Sequence, residues 1–530
     1  MTMSETAADT TGGAGVVPPT SLEAAVTTTD HLVVGRAWIA SGALFLVASL
    51  LAGLLANLER LDLAGVGLFG SADEFFQFWS AHRVGFVLLA VVPVIVGLAT
   101  AVVPLQVGAT SIVFPRAAAL GFWTWLLGAV LTVTGFLIDG GLGTPGSGSQ
   151  RQAVALTLVG LLMVIGGICV ASLCIVTTVA AGRPSGMSLD RVPLFSWTLL
   201  VAGTIWLATL PVLAANAVLA YVDLRGRPAV GFGAEDAIWE QLSWAFTHPQ
   251  VYVFALPLLG IAADVIPVAA RRRLPSHNAL LVVTGLIGVV GFGAYAQPAF
   301  DLSTPVMTQA LYVVEAFLAV PLVLLVVGAL ADTLRRGAGN LGARPPAPVV
   351  LAVLSLLLLV AGTVVGAIRA VSPLDLLDRS TTGAQMTFTM GAALVAAMAG
   401  TLWWGDRTMG RVAPQGMGLV GGLLATLGVV LVAVPDTLSG FMGLSDFTGA
   451  DLAAAGDPGG AVGALNAVAV VGSLLLLLGA VGWIATGVRR MKGAEASPDP
   501  WGGHTLEWAT GPVEVTSERP LLDAMAEVGA

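Results

Sequence analysis

Apolar residues in this chain come in unbroken stretches. They do not follow the three-to-four-residue spacing of a half-exposed helix or the alternation of a half-exposed strand. Twelve such stretches run over roughly 34–57, 79–106, 117–140, 152–181, 194–222, 241–269, 278–300, 305–333, 347–368, 381–404, 415–435 and 462–488. Each reaches or passes the length, about 18–20 residues, that a helix needs to cross a hydrocarbon core about 30 Å thick. Peptide groups in lipid find no water to bond, so each stretch must bond internally, as a helix. The pattern predicts an all-α integral membrane protein, a twelve-transmembrane-helix bundle over residues 31–490, with tails at 1–30 and 491–530.

Composition sharpens this reading. With 56% hydrophobic and 10% charged residues and a mean hydropathy of +0.90, a water-soluble fold is excluded. The 66 glycines suit close helix–helix approach. The net charge of −9 is spread over loops and tails and specifies no partner. Arginine placement says more. Arg116, Arg183, Arg191, Arg271 to Arg273, Arg335, Arg336, Arg344, Arg407, Arg411, Arg489, Arg490 and Lys492 fall on one side of a twelve-helix threading, while Arg60, Arg151, Arg225, Arg227, Arg369 and Arg379 fall on the other, diluted by Asp and Glu. By the positive-inside rule the first side is cytoplasmic, so both termini are expected in the cytoplasm and the chain in the plasma membrane. Residues 1–30 lack the basic start and apolar centre of a signal peptide and read as a disordered tail. Cys169 and Cys174, five apart in the fourth stretch, read as small packing residues. No CxxC, phosphate-binding loop or basic patch is present, and no nucleic-acid partner is expected.

Six segments carry chemistry or its traces, in this order along the chain. WSAHRVGFVLLAVVPVIVG sets His82 eleven residues before Pro93, and VVPLQVGATSIVFPRAAALGFW follows at 102–123. Next come LPVLAANAVLAYVDLR at 210–225 and WAFTHPQVYVFALP at 244–257, where a continuous helix would put His248 and Tyr252 on one face. GFGAYAQPAF at 291–300 and AGTLWWGDRTMGR at 399–411 complete the set. Together these resemble subunit I of the haem–copper oxidases, over approximately residues 75–445. The resemblance implies the twelve-helix fold of that subunit, a cytochrome c oxidase reaction reducing oxygen to water, and a cupredoxin-type subunit II and a subunit III as partners.

Carried over residue by residue, the resemblance predicts a depleted site. His82 stands at the low-spin haem ligand, His248 at a copper ligand, and Tyr252 at the tyrosine cross-linked to it. The other two copper ligands fall on Gln297 and Pro298, leaving one imidazole where copper needs about three, so copper is expected to be absent. Ala384 replaces the high-spin haem ligand. Met386 replaces the second low-spin ligand, where a thioether can bind iron opposite a histidine. One low-spin haem is therefore the most the chain is expected to hold. A one-residue slip would instead put Gln385 there, and Met386 also reads as core packing. Asp446 and Phe447 fall where the family carries paired arginines for the haem propionates. The proton-pathway positions fall on Ser111, Ala118, Ala119, Gln250 and Leu325, none of which carries charge.

A few ionisable groups remain at membrane depth or near it, Arg83 and Glu315 among them. Arg83 reads as a snorkelling side chain or a partner for a propionate, and Glu315 as a hydrogen-bonded interior group or a proton site. His31, His277 and His504, the rest of the five histidines, lie in tails or a loop. The expectation is a subunit I scaffold that has lost oxygen reduction and proton pumping and serves as a structural or assembly subunit of a membrane complex. The alternatives are a single-haem electron carrier or sensor on His82, an active terminal oxidase with atypical ligands, and a channel or transporter using Glu315.

Overall fold

The computed structural model describes residues 26–61, 67–138, 140–143, 148–226, 238–297, 305–377, 379–446 and 460–509. Among them twelve helices are long and apolar enough to cross a membrane. They are α1 (His31–Glu59), α2 (Glu74–Val107), α3 (Pro115–Leu137), α4 (Gly148–Ala181), α5 (Leu194–Leu224) and α6 (Val251–Ala270). The second half comprises α7 (His277–Ala296), α8 (Met307–Asn340), α9 (Ala347–Arg369), α10 (Thr381–Met409), α11 (Gln415–Phe441) and α12 (Ala461–Arg490). Pairing of extended backbone among the described residues is confined to two isolated bridges, Arg379 with Ser445 and Arg411 with Glu495. Most helices pack against the next in sequence, and α12 returns to pack on α1.

Two helices form the middle. The most apolar window of α2 is 100% buried and that of α10 is 94% buried, against 33% for the peripheral α8. Their sequences explain this. α10 carries GAALVAAMAG, whose small side chains let neighbours approach from every side. α2 is apolar all round, as a fully enclosed helix must be. Within α2 the backbone widens to a π-helix over Gly85–Val91. Pro93 follows directly; its nitrogen has no hydrogen for the Leu89 carbonyl and its ring crowds that oxygen, which loosens the turn before it.

The start of α6 corrects the sequence-based expectation. A helix running from 241 would have put His248 and Tyr252 on one face. Instead a short helix, Ile238–Ser243, gives way to turns, and α6 begins at Val251. Pro249 is the cause: it disfavours helical backbone at His248 and offers no N–H of its own. His248 therefore sits in the turn ahead of the helix that carries Tyr252. The two rings still meet edge-on, with centroids 5.6 Å apart.

Beyond α12 the chain does not leave the bundle at once. Residues 491–509 form a strap across its arginine-rich end. The Ala496 amide donates to the Gly410 carbonyl at 3.0 Å. Trp501 stacks on Trp403 with centroids 4.7 Å apart, and Leu506 sits over Gly108. Gly108 closes α2 at φ +73°, a left-handed conformation that glycine adopts without strain. The remaining parts of the two expected tails, residues 1–25 and 510–530, lie outside the described residues.

Candidate functional site

His82 projects from α2 onto bare backbone of α1. A Cβ on Gly53 would come within 2.5 Å of the imidazole Cε1, so the ring lies where only a glycine lets it. The Ser49 carbonyl is 2.8 Å from Nδ1, and the Ser49 hydroxyl donates to the His82 carbonyl at 3.0 Å. A carbonyl can only accept, so Nδ1 carries the proton and Nε2 keeps its lone pair. A small cavity of about 30 Å³ adjoins the ring. Leu50, Asn57, Arg83, Phe86, Met386 and Ser473 are among the residues that line it.

Arg83, the next residue, does not snorkel. Its guanidinium is buried, 3.6 Å from the Met386 thioether and 2.9 Å from an Asp446 carboxylate oxygen. Asp446 also accepts the Gly383 amide at 3.1 Å. Burial pushes its carboxyl above the usual carboxylate range, with Arg83 acting against that shift. Beside this pair Arg60 meets Asp436 at 2.9 Å. Arg369, buried at the end of α9, donates to Gln385 and, at 2.8 Å, to the Thr382 hydroxyl. Two of these three arginines thus already hold a carboxylate of the chain itself. Phe447, beside Asp446, lies outside the described residues.

The second group surrounds His248. Its Nε2 is 3.3 Å from the Tyr312 carbonyl, while Nδ1 is buried with no hydrogen-bond partner. The rings of Tyr312 and Tyr252 pack edge-on against it at 4.6 and 5.6 Å. The Tyr252 hydroxyl accepts from the Gln385 amide at 3.1 Å, tying this group to Arg369. Gln297 accepts from Asn216 at 2.9 Å. Gln250 donates to Thr209 at 3.0 Å and accepts the Gly293 amide at 3.0 Å. Amides therefore hydrogen-bond one another where the resemblance puts copper ligands and a carboxylate. Pro298 lies outside the described residues.

The other positions scatter. Ala384 is fully buried in α10, and Ser111 lies in the loop between α2 and α3. Leu325 faces outward from α8 at 57% exposure, away from the bundle interior. Glu315, half-buried on the same helix, accepts the Tyr295 hydroxyl at 2.5 Å. Sequence reasoning missed Tyr295, Tyr312, Asp264 and Glu507, and named Gln385 only as the alternative to Met386. Asp264 carried a usable signal: it is a carboxylate inside an apolar run, as Glu315 is.

The residues in place do not fit the family's copper site, and they crowd its haem position. Among the described residues no three His, Cys, Asp or Glu side chains converge as metal ligands. The space beside His82 suits a water or two rather than a porphyrin. Arg83 caps the thioether that would be the opposing ligand, and Asp446 puts a carboxylate where propionates would need a cation.

The fold and many of the sequence landmarks are nevertheless those of one family. A family model described as cytochrome c and quinol oxidase polypeptide I matches residues 33–482. The chain belongs to that family. It is 31% identical over 512 residues to a probable cytochrome c oxidase subunit 1-beta of Nocardia farcinica, covering 92% of this chain and 83% of that one. It is 28% identical to cytochrome c oxidase subunit 1 of Bacillus subtilis, over 91% of this chain and 78% of the relative. A heme-copper oxidase subunit I+III of Aeropyrum pernix is 28% identical over 92% of this chain and 60% of its own length. A solved heme-copper terminal oxidase dimer superposes with a TM-score of 0.66 at 14% identity, covering 94% of this chain and 89% of that one. This subunit I relative is thus a twelve-helix membrane protein with the haem–copper oxidase fold.

Proposed function

We propose that this chain is a structural or assembly subunit of a membrane complex, built on the subunit I scaffold, that no longer reduces oxygen or pumps protons. The observation that carries the reading is the hydrogen bonding of the side chains at the family's copper-ligand and carboxylate positions. Gln297 and Gln250 are engaged with Asn216, Thr209 and the Gly293 amide, so these two positions hold neutral, hydrogen-bonded amides. An amide is a poor copper ligand and cannot deliver a proton as a carboxyl does. By analogy with the family, the partners are a cupredoxin-type subunit II and a subunit III, with both termini in the cytoplasm of a plasma-membrane protein.

One observation favours a second reading. The Nδ1 hydrogen bond from His82 to the Ser49 carbonyl leaves Nε2 available, the tautomer a haem ligand requires. A single low-spin haem would then hold on His82, with Met386 moving out from under Arg83. The test is protein purified from its native membrane, with oxidised and reduced spectra, a pyridine haemochrome assay, copper analysis and oxygen uptake. The scaffold reading expects no stoichiometric haem, no copper, no oxygen uptake, and co-purifying membrane subunits. About one haem per chain, with a spectrum changed in His82→Ala, would establish the electron-transfer reading in its place. Copper together with oxygen uptake would overturn both.

A further inference from the structure

At the arginine-rich end a second buried polar group has no part in the family site. The Gln106 amide nitrogen of α2 donates to Asp264 of α6 at 2.7 Å and to Glu507 of the strap at 3.1 Å. The Gln106 oxygen accepts from Ser196 of α5 at 2.7 Å, which fixes the amide in that orientation. Glu507 is 1% exposed; its Oε1 also accepts from Trp404 of α10 at 3.3 Å, and its Oε2 has no partner. One amide therefore bridges the buried Glu507 carboxyl and the half-buried Asp264 carboxyl. The cation nearest in the hydrogen-bond pattern, Arg407 of α10, uses its Nε on the Glu507 backbone carbonyl at 2.9 Å. Asp406 beside it is taken by Arg490 at 3.1 Å. Gln106, Ser196 and Thr505 bring no charge, and His504 of the strap is exposed.

Two carboxylates this close, one buried and one half-buried, with no ion pair to either among the described residues, cannot both stay ionised at modest cost. We infer that Asp264 and Glu507 hold one proton between them, and that this proton keeps the C-terminal strap docked on the bundle. Glu507 is the half of the pair that can leave, because it travels with the strap while Asp264 is fixed in α6. Burial holds the Glu507 carboxyl above the ordinary carboxylate range when docked. Released into water, it returns to about 4.3. The sign follows. Docking is strongest below the free value, because both states then bind the proton. As pH rises from there towards the docked value, docking weakens about tenfold per unit, because only the docked state retains the proton. The strap is thus a proton-dependent latch over the ends of α2, α5, α6 and α10.

The experiment is hydrogen–deuterium exchange of the full-length protein in lipid nanodiscs from about pH 5 to 9, with intrinsic exchange rates corrected. The readout is the peptide spanning 494–509, which includes the Ala496 amide bonded to Gly410. The expected result is at least a tenfold loss of protection in the strap with rising pH while α2 and α10 stay protected. In Glu507→Gln, which is neutral at every pH, the strap should stay protected throughout. Asp264→Asn, which removes the second acid, should flatten the pH dependence. A wild-type strap equally protected across the range would overturn the inference. So would a Glu507→Gln strap that still opens with pH, or one undocked at every pH.

Discussion

Arg83 and Asp446 show how one residue can redirect a site. In the family pattern the position of Asp446 is basic and answers a haem propionate; here it is a carboxylate bound to Arg83 at 2.9 Å, both side chains nearly enclosed. A buried charge stripped of its partner costs far more than the pair contributes while intact. Arg83→Ala is therefore expected to destabilise the protein by about 3–5 kcal/mol. Most of that loss should return in the Arg83→Ala, Asp446→Asn double variant, which leaves no orphan charge. Thermal unfolding of the four proteins of this cycle in one detergent checks it, and additive losses would show that the two side chains act independently. Gly383 offers a second handle on the same pair. A Cβ there would lie 2.1 Å from both the Arg83 guanidinium and the Asp446 carboxylate. Gly383→Ala should separate the pair, and its cost should fall in the double-variant background, where only the isosteric residue 446 side chain is still crowded.

Glycines at helix seams decide which elements touch backbone to backbone. In α4, Gly167 lies against α3, where an added Cβ would sit 2.6 Å from the Gly121 carbonyl and the Trp125 amide. Its neighbour Gly166 has nothing within 4 Å. Gly167→Leu is expected to force α3 and α4 apart and cost at least the about 1–3 kcal/mol typical of an overpacked core, whereas Gly166→Leu should leave stability unchanged. Melting temperatures of the two variants decide this, and equal effects would mean the seam is not tight. Composition made such seams foreseeable as a class, but not which glycine faces a neighbour, because an apolar helix in lipid has no polar face to reveal its orientation. The same limit shows in α8, where Leu325, at the position the resemblance gives to a proton-pathway lysine, faces outward. The twelve spans themselves were legible, since run length alone decides them. The start of α6 was misread because hydropathy continued through Pro249 while helical geometry did not.

At the scale of the whole molecule, each polar cluster gathers residues far apart in sequence, which is why the clusters could not be read from it. Arg83 meets a residue 363 positions away, and Gln106 meets one 401 positions away. Single positions such as His82 and His248 were legible because short motifs mark them; their partners were not. What the sequence does carry globally is the sidedness of its charge. Arg36, at the start of α1, donates to the Thr408 carbonyl at the end of α10, and Arg490, at the end of α12, meets Asp406 there. The beginning and the end of the bundle thus share one face, the face that also holds Arg183, Arg271 to Arg273, Arg335, Arg336 and Arg411. Positively charged loops resist translocation during insertion, so this face is expected in the cytoplasm. Reporters fused after residue 530 test the orientation directly: a cytoplasm-dependent fluorescent protein should be bright, and alkaline phosphatase, which folds only outside, should be inactive. The reverse result would place the strap and its carboxyl pair on the outer face. The proton that holds Glu507 would then come from the external medium, and docking would follow external rather than cytoplasmic pH.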